Sequence, residues 1–530
     1  MTGGRALVAA LAAHGVDTIF GIPGTHNLAV YAALPEFGIR HFSPRHEQGA
    51  GYAADGYARV SGRPGVCLTT TGPAVLNAAA ALAQAYSDSV PVLLISPGMP
   101  LTHPGLGNGL LHEVKDQSGA LAAVAAYSHR VTSVAEIPLA VAQAFATMRS
   151  GRPRPVHLEI PLDLLDQTGE VTPVAPVTPA RRLPEPSQLD RAAEVLATAT
   201  RPGVIAGGGC RTAAAELRQL VELLGAPVVT TTNGKGALPE DHPLALGAGL
   251  QHRSVVEFLA DCDVVVAVGT ELAPADLWLG PLSLSGALVR IDIDPVHVAT
   301  NAVPDVAVVG DAAASLAGLR KRLSREPAAD AAARAAHWRE RVRADARREG
   351  ATWLPMVEAV AAALGRDGVL AGDSAMAVYY GALSNLPAYQ PASFLYPTGL
   401  GTLGYGLPAA IGAKLARPEA RVMAMLGDGG VMFTIPELAA AAQAGLPLPV
   451  VVVDNGGYGE IRREMCERGD SPLGVDLGHP DFPALARSLG CHGLSVTDPK
   501  ELTAQLTAAF TADRPTLIHV PEPGGDDGTH

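Results

Sequence analysis

Cysteine, positive charge and long apolar runs are all in short supply in this 530-residue chain. The five cysteines are Cys67, Cys210, Cys262, Cys466 and Cys491, and no two stand in a C-x-x-C pair. That excludes a disulfide framework and the usual zinc spacings, and reads as reduced structural thiols of a cytoplasmic protein. Lys and Arg number 39 against 52 Asp and Glu, a formal net charge of −13. Such a balance favours solubility and excludes an extended nucleic-acid surface. No apolar stretch approaches the roughly 20 residues of a membrane-spanning helix. The run from Ala6 to Ala13 is cut short by His14 and Asp17 and lacks a small-residue cleavage site, so it reads as a first helix. Aromatic residues make up only 4% of the chain. Gly, Ala and Val fill the cores instead, as suits packed α/β layers.

The length predicts about three domains, at roughly 150 residues each. Residues 1–165 alternate strand and helix signals. A Pro-rich connector covers 166–184, and a second strand–helix alternation covers 185–325. A charged helical linker, 326–349, leads to a third unit, 350–523, and the acidic tail 524–530 reads as disordered. The expected fold class is α/β, with three doubly wound parallel sheets. The first and third units share one plan: strand, Gly-containing turn, Ala-rich helix, Pro, buried strand. Their repetition is too distant for a solenoid and indicates two related domains facing one another.

The most informative stretch is 421–461. An apolar strand, Val422 to Leu426, ends in Gly427-Asp428-Gly429-Gly430. Thr434 and Glu437 predict a capping box for the following helix, which stops at Gly445 and Pro447. A second apolar strand, Pro449 to Val453, ends in Asp454-Asn455-Gly456-Gly457. Two polar turns thus reach the carboxyl edge of one sheet, where open α/β sheets bind ligands. A carboxylate and an amide oxygen suit Mg²⁺ or Ca²⁺, and free N–H groups in glycine turns suit a diphosphate.

This stretch resembles the GDG…NN signature of thiamine diphosphate enzymes, with 24 residues between GDG and the closing pair. Asp454 stands where that family has its first Asn, while Asn455 keeps the second. Two further motifs carry the same resemblance. R-H-E-Q-G-A-G-Y-A-A-D-G-Y-A-R, residues 45–59, is similar to the glutamate motif of acetolactate synthase-like members, and P-T-G-L-G-T-L-G-Y-G-L-P-A-A-I-G-A-K spans 397–414. The resemblance covers nearly the whole chain and names the three domains pyrimidine-binding, central and diphosphate-binding. It implies that Asp428, Asn455 and the carbonyl of Gly457 hold Mg²⁺ on the diphosphate. It also implies that Glu47 contacts the aminopyrimidine ring, that the Gly401 carbonyl meets its amino group, and that Leu403 supports the bent cofactor. Pro23, Thr71, Asn77 and Ser374 are expected around the cofactor, as are Gly427, Gly429, Gly430, Tyr458 and Gly459. An active site shared across a homodimer or homotetramer follows from the same likeness.

The implied chemistry is cleavage of a 2-oxo acid. The product is an aldehyde if a proton replaces CO₂, and a condensed hydroxyketone if a second carbonyl does. Thr25, His26, His112 and Glu113 are the catalytic candidates, with His112 placed to donate a proton. Acetolactate synthases bind FAD and carry an Arg-rich stretch where this chain has Gly269-Thr270-Glu271-Leu272-Ala273-Pro274-Ala275-Asp276. That argues against FAD. The chain looks more like 5-guanidino-2-oxopentanoate decarboxylases, and Glu113, Glu271 or Asp276 would be available to pair a guanidinium tail. Glu460, Arg462 and Arg463, beside the metal turn, are left unassigned between substrate and solvent.

Overall fold

The computed structural model describes residues 1–522; the tail expected at 524–530 lies outside them. Three six-stranded sheets follow one another along the chain, and every strand pair is parallel. The first contains β1 (Thr18–Gly21), β2 (Arg40–Phe42), β3 (Gly65–Leu68), β4 (Val92–Gly98), β5 (Tyr127–Arg130) and β6 (Val156–Pro161). The second contains β7 (Pro202–Ala206), β8 (Val228–Thr230), β9 (Ala245–Ala248), β10 (Val264–Val268), β11 (Ala287–Asp292) and β12 (Val306–Val309). The third contains β13 (Val369–Gly372), β14 (Phe394–Leu395), β15 (Val422–Gly427), β16 (Pro449–Asp454), β17 (His492–Ser495) and β18 (Thr516–Pro521).

The first sheet runs β2-β1-β3-β4-β6-β5 and the third β14-β13-β15-β16-β18-β17, the same order strand for strand. The shared plan read from the sequence is therefore a shared topology. The central sheet differs, running β9-β8-β7-β10-β11-β12. That is the order of dinucleotide-binding folds, with a crevice where strand order reverses, between β7 and β10. The strands most hidden in the sheets are continuous Val, Leu, Ile and Met runs, as helix cover on both faces requires.

The first and third domains share one hydrophobic core, in which Tyr52, Ala53 and Tyr57 meet Leu407, Ala409 and Ile411. These residues belong to two helices, Glu47–Ser61 and Gly406–Ala416, both made largely of Gly and Ala. A Cβ on Gly56 would sit 2.1 Å from the carbonyl oxygen of Ala409, so only glycine lets the helices come this close. Small residues here serve the approach of two domains.

A buried ionic network fixes that approach. Arg59 Nε donates to Asp55 at 2.6 Å, and its terminal nitrogens donate to Asp88 at 2.7 Å and Asn233 at 2.9 Å. The hydroxyl of Tyr405 donates to Asp55 at 2.6 Å, and the N–H groups of Thr398 and Gly399 donate to Asp88. One arginine thus ties together residues of all three domains. Removing a single partner of such a network strands a buried charge.

Candidate active site

Both outer domains present polar turns at the reversal point of their sheets. In the third domain these are the turns after β13, β15 and β16, which surround a cavity of about 270 Å³ lined by Ser374, Met376, Leu403, Asp428, Asn455 and Gly457 among others. Asn455 Oδ1 lies 2.9 Å from the carbonyl oxygen of Gly457 and 3.3 Å from Asp428 Oδ1. Three oxygens with no hydrogen between them repel one another. Turning the amide over would relieve the contact, and so would a cation. Ligands about 2.1 Å from an octahedral Mg²⁺ sit roughly 3 Å from their neighbours, which is the spacing seen. The amide nitrogen meanwhile faces Met376 Sδ at 3.9 Å. Burial, then the neighbouring Asp454 charge, pushes the Asp428 carboxyl up to about 6. A divalent cation would reverse that penalty.

Asp454, the departure from the family signature, is turned away from these oxygens. It pairs with His519 at 3.0 Å and accepts the Gly456 N–H at 3.0 Å. Burial pushes its carboxyl up, but those bonds and the two nearby histidines outweigh it and hold it near 2. An aspartate here braces the turn, for which an asparagine would serve less well.

The expected capping box is not formed. Thr434 donates instead to the carbonyl of Gly404 at 2.8 Å, and the Glu437–Gln443 helix has no side-chain cap. Glu437 reaches into the first domain, where its carboxylate accepts the N–H of Arg45 and of His46 at 3.0–3.1 Å. A buried carboxylate finds better partners in the open start of the Glu47–Ser61 helix than in its own backbone. Asp373, which lies in none of the sequence motifs, accepts the N–H groups of Gly404 and Tyr405 at 2.8 and 3.1 Å and so holds the turn carrying Gly401 and Leu403.

The first-domain half is built on the turns after β1 and β3. Glu47 accepts from Asn77 Nδ2 at 3.0 Å. His26 Nδ1 lies 2.6 Å from Thr71 Oγ1, which in turn lies 3.3 Å from His112 Nδ1, and the two imidazoles meet edge to face at 5.3 Å. Burial, then the His112 charge, lowers the pKa of His26. Gly72 has φ +61°, and a Cβ there would lie 2.3 Å from the His112 carbonyl oxygen; glycine is what lets the 99–116 loop bring His112 in. Gln117 fastens the same turn by accepting the Gly72 N–H at 2.9 Å. Pro23 and Thr25 stand exposed on the first turn.

Glu113 is not part of this group. Its carboxylate accepts the N–H of Asn108 and Gly109 and pairs with His103 at 2.9 Å, facing a separate cavity with Arg130 and Glu159. Nor do the other expected guanidinium partners reach the third-domain cavity. Glu271 is held by Arg154 at 3.0 Å and Asp276 by Thr232 at 3.2 Å, both at the crevice of the central domain. The carboxylates that do line the third-domain cavity, besides Asp428, are Glu460 and Glu522. Among the described residues lining it, none belongs to the first domain.

Sequence comparison agrees with this architecture domain by domain. Residues 1–120 match the thiamine pyrophosphate enzyme N-terminal TPP binding domain, 189–319 the central domain and 371–520 the C-terminal TPP binding domain. The chain belongs to the thiamine pyrophosphate enzyme family and is a thiamine diphosphate-dependent enzyme. It is 45% identical to a probable 2-ketoarginine decarboxylase, AruI, of Pseudomonas aeruginosa, over 98% of this chain and 94% of the relative. It is 36% identical to the acetolactate synthase large subunit of Parasynechococcus marenigrum, over 98% and 87%, and 34% identical to acetolactate synthase isozyme 2 large subunit of Escherichia coli, over 98% and 95%.

Proposed function

We propose that this enzyme, with thiamine diphosphate and Mg²⁺, decarboxylates a 2-oxo acid to an aldehyde without oxidation, and that the acid is 5-guanidino-2-oxopentanoate. The observation that carries the reaction type is the His26–Thr71–His112 chain at the rim of the first-domain half-site. Forming an aldehyde requires one proton in place of CO₂, and two imidazoles joined through a hydroxyl are suited to deliver it. The name of the Pseudomonas relative supports the substrate.

Asp428, Asn455 and the Gly457 carbonyl would hold Mg²⁺ against the diphosphate, and the oxygen spacing fits that role. Leu403 would support the cofactor from below, and the Gly401 carbonyl would accept from its ring. When bound, thiamine diphosphate supplies the electron sink for the pair released as the C–CO₂ bond breaks. Glu47 keeps one carboxylate oxygen on Asn77, leaving the other to exchange a proton with the cofactor ring. Thr71 Oγ1 passes a proton from His26 Nδ1 to His112 Nδ1, and His112 then releases its Nε2 proton to the product carbon.

We further propose that a partner subunit completes each site. Glu47 and the metal oxygens belong to different half-sites of one chain, and both edges expose apolar side chains: Leu28, Leu76 and Leu111 on one, Leu400, Phe433 and Ile461 on the other. A second copy would cover both. We propose domain limits of 1–165, 185–325 and 350–523, joined by the connectors 166–184 and 326–349.

A carboligase remains the second reading, supported by the acetolactate synthase relatives. Product analysis separates the two. Reconstituted enzyme is given pyruvate, branched, aromatic and guanidino 2-oxo acids, and CO₂ and carbonyl products are quantified together. Equimolar CO₂ and 4-guanidinobutanal from the guanidino acid are expected. Acetolactate from pyruvate would move the enzyme to the carboligase side.

A further inference from the structure

We propose that Glu460, flanked by Tyr379 and Glu522, forms the niche that selects a cationic, guanidinium-type tail on the 2-oxo acid. The inference rests on the decarboxylase reading and deepens it to a specificity residue. Glu460 is the second residue of the Gly459–Glu467 helix, directly after the turn of Asn455 and Gly457, and it lines the same cavity as Asp428 and Leu403. One carboxylate oxygen, Oε1, accepts from the Tyr380 hydroxyl at 2.9 Å and from Arg463. The other, Oε2, is buried and makes no hydrogen bond of good geometry, although the Tyr379 hydroxyl lies beside the carboxylate. A buried carboxylate oxygen left unpaired is costly, so a ligand that supplies N–H donors gains what the free protein lacks.

The surroundings select the kind of donor. No lysine or arginine is among the described residues lining this cavity, whereas Glu522 adds a second carboxylate, held by Trp353 Nε1 at 3.1 Å. Tyr379 lines the wall, its ring 4.6 Å from that of Tyr380, and Trp278 meets both rings edge-on at 6.2 and 5.7 Å. Carboxylates beside aromatic faces are what a planar, delocalised cation needs, for paired hydrogen bonds and for stacking. The chain itself shows the fit. On the outer side of Glu460 the guanidinium of Arg463 stacks 5.0 Å above the Tyr380 ring while donating to the carboxylate and to the Tyr380 hydroxyl. Glu460 and Glu522 present carboxylates of the same kind to the cavity wall. A small acid with no cationic tail, such as pyruvate, would leave Oε2 buried and unsatisfied.

The test compares two substrates of matched shape, 5-guanidino-2-oxopentanoate and its uncharged 5-ureido analogue, in the wild-type holoenzyme and in Glu460→Gln and Glu522→Gln. The wild type should favour the guanidino acid, and Glu460→Gln should reduce that kcat/KM ratio by about 100-fold, with a smaller reduction for Glu522→Gln. An equal loss on both substrates would overturn the niche. Calorimetric titration of 4-guanidinobutanoate and 4-ureidobutanoate into the holoenzyme gives a readout independent of turnover. Binding of the guanidino compound alone, lost in Glu460→Gln, supports the niche even if the enzyme turns over a different cationic oxo acid, in which case only the substrate named above is wrong. Equal binding of both compounds, or unchanged binding in the variant, overturns the niche while leaving the decarboxylase reading intact.

Discussion

The carboxylate of Glu437 accepts the backbone N–H of His46 at 3.0 Å, so that a residue of the third domain holds the N-cap residue of the helix on which Glu47 stands. This contact couples the packing of two domains to the position of the residue proposed to exchange protons with the cofactor. Burial is the main influence on Glu437 and pushes its carboxyl up to about 7, against the downward pull of the two N–H groups.

A group whose folded-state pKa is raised stabilises the fold most below its unfolded value, near 4.3, and loses that contribution as pH rises through the folded value, near 7. Wild-type protein should therefore lose on the order of 2–3 kcal/mol between pH 4.5 and 8 that Glu437→Gln does not lose. Denaturant titration of both proteins at the two pH values measures the difference. Parallel pH profiles would show that the contact does not titrate in this range.

Glu47→Gln should lower kcat by about 10²- to 10⁴-fold while cofactor binding persists, because the change removes a proton carrier and keeps the shape. Turnover and thiamine diphosphate affinity, followed by fluorescence quenching, check the two halves separately. Unchanged turnover would remove Glu47 from the proposed chemistry.

Chelation should destabilise the holoenzyme. With Mg²⁺ and cofactor at 100 times their dissociation constants, stripping the metal should cost about 2.7 kcal/mol, read as a fall in Tm. Asp428→Ala should be insensitive to the same treatment, since one of the three oxygens is gone.

His112→Phe should separate CO₂ release from product formation. In a single turnover CO₂ should still appear as a burst, whereas aldehyde formation should slow about 100-fold. Equal slowing of both would assign His112 to substrate binding instead.

Arg59→Met should cost about 3–5 kcal/mol, because Asp55 and Asp88 would lose the guanidinium that hydrogen-bonds them both. Chemical denaturation measures the loss. A change under 1 kcal/mol would show that solvent reaches the network.

Local pattern alone established much of this protein. The strand–turn–helix–strand order around Asp428 and Asn455 and the parallel α/β class both follow from residue periodicity and turn chemistry over short stretches. Those properties are local, and β15 and β16 lie where their apolar runs place them. The cofactor was legible for the same reason, since each of its motifs is contiguous.

What only the tertiary structure decided concerns side chains whose partners are remote in the chain. Thr434 and Glu437 have the spacing of a capping box, yet one bonds Gly404 and the other Arg45 and His46. Glu113, Glu271 and Asp276 offered the right charge for a guanidinium, but each is already engaged elsewhere. Glu460 is open between substrate and solvent from the sequence, and only its packing against Tyr379, Tyr380 and Glu522 places its carboxylate at the cavity with one oxygen buried. A sequence records which groups can bond. Burial and distance, set by chain segments hundreds of residues apart, decide which of them are left free to do so.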